Sequence, residues 1–266
     1  MQLTLTNGKV INMENSRNAQ FQGTQTPKNP PTNIHLIKRV DTVSCCTALT
    51  HYKERIYVGT TDGTIYSIDQ QGFAAKALIK LSDMIMSFLI HDKRIYSLLY
   101  GDGKSTKLCV NELSEENCAE LTSWDHPALD YFGQQMFVTD HDLLAVGDPH
   151  SKQIIIYSLP GDVIRKVPCP HSLTMTSVVC MCSCGNDSVI ISDMNAGKIV
   201  RVSLKDGSLL WSSDRATSPG GIVHHPAGYV LAATTWTDPG KIFVLDQMDG
   251  GSSSSVGFEL HKPHNI

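Results

Sequence analysis

Residues 186–210 read NDSVIISDMNAGKIVRVSLKDGSLL, and the fold can be argued outward from them. An apolar run (Val189, Ile190, Ile191) is followed by a polar turn from Ser192 to Gly197. An alternating run from Lys198 to Val202 comes next, then the turn pair Asp206-Gly207 and a third apolar run. Short, β-branched runs separated by Gly, Asn and Asp are the signature of an antiparallel meander.

The unit recurs. RIYVGTTDGTIYSID starts at Arg55, RIYSLLYGDGKSTKLCV at Arg94, LLAVGDPHSKQIIIYS at Leu143 and YVLAATTWTDPGKIFVLD at Tyr229. The residues opening the second run of each unit are Thr64, Lys107, Gln153, Lys198 and Lys241, spaced 43, 46, 45 and 43 apart. A period near 44 without helical patterning predicts a β-propeller with one blade per repeat. An apolar run precedes each unit as an inner strand, for example MIMSFLI from Met84, and a weaker run follows as an outer edge, for example VIRKV from Val163.

Dividing the 266 residues by this period gives about six blades. The expected architecture is therefore all-β: one six-bladed propeller over 1–266, four antiparallel strands per blade. The blades fall at approximately 1–40, 41–80, 81–122, 123–168, 169–213 and 214–266. The first must be degenerate, because the stretch NSRNAQFQGTQTPKNPP within it is polar and rich in turn formers.

Composition narrows the partners. A formal charge of −4 and a pI near 6.2 argue against duplex DNA, which demands a basic stripe. No segment approaches the 18 continuous apolar residues of a membrane span, and the start lacks the layout of a secretory signal, so a cytoplasmic protein is expected. Eight cysteines, several inside apparent strands, read as reduced thiols; an even count leaves the secreted alternative open.

The stretches PGGIVHHPAGYVLAA from Pro219 and SVIISDMNAGKIVRV from Ser188 resemble NHL repeats. Asp193, Asn195, Lys198 and Ile199 match that pattern, and Asp148, Gln153 and Ile154 match it in part. The TTDG at 60–63 is instead similar to quinoprotein and WD-type propellers. Resemblance to the propellers of tripartite-motif-like NHL proteins implies a binding module for a protein or a single-stranded RNA. The wider six-bladed group implies the alternative, an enzyme such as a metal-dependent lactonase, esterase or lyase working at the central channel. Inner strands poor in Glu do not reproduce the lactonase ligand set, although Asp83, Asp125 and Asp130 lie close to the rim.

In a four-stranded meander the turns between second and third strands share a face with the connections between blades. Trp124, His126, His150, His171, Arg215 and Trp236 are thereby expected on one binding rim, since aromatic and Arg anchors dominate interface energies. The bland reading of Trp124 and Trp236 is packing between blades. Asp148 and Asp193 read as turn acceptors rather than catalytic acids, and Cys180 and Cys182 as core residues. On the opposite face, His51, His91, His141 and His225, with Cys184 at the matching place, recur after the inner strands. No cofactor is expected; a ring of imidazoles around the channel would nonetheless be able to ligate a metal or sense pH. The common nucleophile-elbow, phosphate-loop and Cys-x-x-Cys signatures do not occur.

Overall fold

The structure is a computed structural model that describes residues 2–4, 10–12, 45–69, 74–101, 105–114, 118–127, 135–174, 178–185, 187–234 and 241–257. Blade one consists of β3 (Cys46–Tyr52), β4 (Arg55–Thr60), β5 (Thr64–Asp69) and β6 (Ala75–Lys80), after the ribbon β1 (Gln2–Thr4) and β2 (Val10–Asn12). Blade two is β7 (Met84–His91), β8 (Arg94–Gly101), β9 (Ser105–Glu112) and β10 (Glu120–His126). Blade three is β11 (Met136–Val138), β12 (Leu144–Asp148), β13 (Gln153–Tyr157) and β14 (Val163–Pro168). β15 (Val178–Ser183), β16 (Ser188–Asp193), β17 (Lys198–Ser203) and β18 (Leu209–Ser213) form blade four. Blade five is β19 (Pro219–His225), β20 (Tyr229–Thr234), β21 (Lys241–Asp246) and β22 (Ser252–Gly257).

Each blade is an antiparallel four-stranded sheet in sequence order, as the repeat predicts. The blade count differs: the described residues form five blades, not six. Dividing length by period assumes that every residue belongs to a blade. At the N-terminal end, however, among the described residues β1 and β2 pair with each other alone, in a two-stranded sheet. The inner strands pack in the order β3, β7, β11, β15, β19, and among the described residues no comparable packing joins β19 back to β3.

The cores lie between sheets, where facing apolar side chains interdigitate. Ile65, Ile85, Phe88 and Ile95 fill the space between blades one and two. Tyr96, Leu108, Val146 and Ile155 lie between blades two and three, and Ile154, Ile156, Ile191 and Val200 between three and four. Ile190, Ile199, Val230 and Leu245 join blades four and five.

Each outer strand carries one extra residue opposite the third strand: Leu78, Leu121, Ile164, Leu210 and Ser253. A β-bulge bends an edge strand and discourages edge-to-edge pairing. Three of the bulged residues, Leu121, Ile164 and Leu210, are each about half exposed. Among the described residues no helix is long and apolar enough to cross a membrane.

Candidate binding face

The two faces of the propeller identify themselves by hydrogen bonds. The connection into blade four meets that blade's second turn where Thr174 N donates to Asp193 Oδ2 at 2.7 Å. Cys169 N likewise donates to Lys152 O. This upper face therefore unites second-to-third-strand turns with inter-blade connections, as expected from the meander. On the lower face the first and third turns meet, where Leu204 N donates to Asp187 O and Gln247 N to Gly228 O.

The strand-closing acids of the upper face are turn acceptors. Asp193 is fully buried; Oδ1 accepts from Ala196 N at 3.0 Å and Thr174 Oγ1 at 2.9 Å. Asp148 Oδ1 accepts from His150 N and Ser151 N at 3.1 and 3.2 Å, and Oδ2 from Ser151 Oγ. Asp62 Oδ1 accepts from Thr60 Oγ1 and Thr64 N, and Lys80 Nζ lies 3.2 Å from Oδ2. The Thr60 hydroxyl is the chief cause that holds the Asp62 carboxyl below the usual range. Asp83 accepts from its neighbour Ser82, and Asp125 is exposed.

The rim residues separate into two groups. His150, His171 and Arg215 are exposed, as is Lys152. Trp124 and His126 instead point into the interface with blade three. Both lie on the same side of β10, and Trp124 packs against the cluster that contains Tyr157. His126 is 4 % exposed; Nδ1 stands 2.8 Å from the Tyr157 hydroxyl and Nε2 3.2 Å from Gly147 O. Burial pushes the His126 pKa down and raises that of Tyr157 to about 12. The packing reading thus holds for Trp124, and His126 belongs to the core. Period-2 alternation in ELTSWDH, which puts Thr122, Trp124 and His126 on one side, is the signal for this. Trp236 and Asp130 lie outside the described residues.

The four histidines of the lower face occupy separate environments. His91 Nε2 lies 3.2 Å from Asp142 Oδ1 and His141 Nε2 3.1 Å from Asp187 Oδ1, so each pair bridges one blade to the next. His225 stacks on Tyr229 with ring centroids 4.4 Å apart, and His51 stands opposite Ile56 in blade one. Burial lowers the pKa of both. Among the described residues no three His, Cys, Asp or Glu side chains gather where they would hold a metal ion. Cys184 is buried, and all eight cysteines are free. Burial raises Cys180 to about 11 and pushes Cys182 well above its ordinary value, which suits core residues.

One lower-face junction had no sequence signal of its own. Arg201, 7 % exposed, donates from Nε to Ser188 Oγ and from Nη1 to Gln247 O, the carbonyl that also accepts from Trp211 Nε1. His224 Nε2 meets the Gln247 side chain at 2.6 Å. Blade four is thereby tied to the third turn of blade five.

No protein-family profile matches the chain, and no curated protein matches it. Several solved structures resemble it. A protein of unknown function from Bacteroides caccae superposes with a TM-score of 0.64 at 9% identity, over 86% of this chain and 87% of that one. A functionally unknown protein from Desulfotomaculum acetoxidans gives 0.57 at 14% identity, over 86% and 74%. BamB from Moraxella catarrhalis gives 0.50 at 11% identity over 79% of this chain, which spans only 62% of the BamB chain. Identities this low speak for fold alone. The NHL resemblance of blades four and five finds no support among these comparisons, and Asp193, its best-matching residue, caps a turn. The shared architecture is that of a β-propeller with four antiparallel strands per blade.

Proposed function

We propose that this chain is a non-enzymatic binding module that holds a protein partner on its upper face. One observation carries the reading: Asp148 and Asp193, the acids best placed for chemistry there, are engaged by turn amides and hydroxyls, whereas His150, His171 and Arg215 stay exposed. A carboxylate held by its own turn is poorly placed to move a substrate proton. Exposed basic groups on a rigid scaffold suit recognition. Eight free cysteines, several buried with raised pKa values, support a reducing compartment such as the cytoplasm.

The test is quantitative affinity capture with the intact chain and with H150A/H171A/R215A. Loss of about tenfold or more of the captured partner, with folding unchanged by circular dichroism, is the expected result. Undiminished capture would remove the upper face from the account. Turnover of lactone or ester substrates by the purified chain would replace the reading with an enzymatic one.

A further inference from the structure

Charge is segregated across blades three to five. On the upper face Lys152, Arg215 and Lys241 are exposed and Lys198 is half-buried, joined by the imidazoles of His150 and His171. Among the described residues the acids of the same region are Asp148 and Asp193, whose carboxylates are turned into their own loops, and Asp214, which is exposed. The lower face of the same blades is the reverse. Among the described residues, Asp140, Asp142 and Asp187 stand in its first turns and Asp162, Asp206 and Asp249 in its third turns, against Lys205, the buried Arg201 and imidazoles such as His141, which pairs with Asp187. Asp162, Asp206 and Asp249 are exposed, so their charge faces solvent.

We infer that the upper face of blades three to five docks an acidic segment of a partner protein, with Lys152, Lys198 and Arg215 as its charge contacts. This rests on the binding-module reading and names its partner class. A basic arc on a chain of net charge −4 is a local feature, effective within a Debye length of about 10 Å at ordinary salt. The acidic lower face repels the same partner, so the field orients it during approach. Arg215 supplies a planar fork suited to a carboxylate, while the lysines act as point charges. Single-stranded RNA would need exposed aromatic platforms for its bases. The described tryptophan expected on this rim, Trp124, instead packs between blades against Tyr157 and the lower-face turn glycine Gly161.

Fluorescence anisotropy with three labelled probes tests the inference: an oligoglutamate peptide, an oligolysine peptide and oligo(U) RNA. The oligoglutamate is expected to bind, to weaken as salt rises from about 50 to about 300 mM, and to lose about tenfold or more in K152E/K198E/R215E. The lower-face variant K205E should bind it as the parent does. Equal binding of oligoglutamate by the parent and the triple variant overturns the inference, as does failure to bind it at low salt. If oligo(U) binds, loses that binding in K152E/K198E/R215E, and oligoglutamate does not bind, the partner class is wrong while the face stands. If the capture experiment fails as well, the binding-module reading fails with it.

Discussion

The indole of Trp211 lies across Gly250, the turn glycine of the next blade, so closely that a Cβ on that glycine would come within 2.6 Å of the ring. Gly250 has φ +71°, and its counterpart Gly161, at φ +113°, takes Trp124 in the same way. Replacing Gly250 with alanine adds both left-handed strain and an overlap with the indole. Gly250→Ala is expected to destabilise the fold by about 2–4 kcal/mol, read from urea unfolding.

The two tryptophans differ in one respect that a second experiment isolates. Trp211 Nε1 donates to Gln247 O at 2.8 Å, whereas the buried Trp124 Nε1 has no partner among the described residues. Trp211→Phe should therefore cost about 1 kcal/mol more than Trp124→Phe, because it leaves a carbonyl with one donor fewer.

His126 predicts an acid-side loss of stability. Burial depresses its folded pKa below the ordinary 6.5, so on acidification the unfolded chain takes up the proton first. Its contribution is complete above about 6.5 and is lost as pH falls toward the folded value. His126→Gln should flatten the pH dependence of the unfolding midpoint in that window. An unchanged slope would place the titrating group elsewhere.

Asp193 is expected to matter for stability and not for chemistry. Asp193→Ala frees Thr174 N and Oγ1, which anchor the connection from blade three to blade four, and Ala196 N of its own turn. A loss of about 2–3 kcal/mol is anticipated by denaturant titration, since buried donors are left without acceptors. Hydrogen exchange should rise first in the 169–174 connection.

The thiols supply a surface check on the packing. Cys45 is exposed, while burial raises Cys180 to about 11 and Cys169 to about 12. Iodoacetamide at pH near 8 should label Cys45 quickly in the native protein, and Cys180 and Cys169 only on unfolding. Rapid native labelling of Cys180 would contradict the interface between blades four and five, where its Sγ donates to Ile222 O at 3.4 Å.

Much of this fold is legible in the sequence because every blade must repeat the same turn chemistry. The 43–46 spacing of Thr64, Lys107, Gln153, Lys198 and Lys241 locates the third strands β5, β9, β13, β17 and β21, in four cases at the first residue. The blade count was less legible, since turn-rich sequence and a degenerate blade look alike when only period is measured. Site residues divide by the same logic. His150, His171 and Arg215 sit in turns or connections and stay exposed; Trp124 and His126 sit on β10, whose alternation carries both inward. The contacts His91–Asp142 and His141–Asp187 join turns of different blades. No single repeat contains both partners, so spacing alone does not reveal them.

The most direct test of the central claim is hydrogen–deuterium exchange on the chain with its captured partner. The account predicts slowed exchange in the upper-face turns and connections 148–152, 169–174, 193–198 and 213–218, with the lower-face turns 139–142 and 204–208 unchanged. Protection confined to the lower face, with the upper face exchanging as in the free chain, would contradict it.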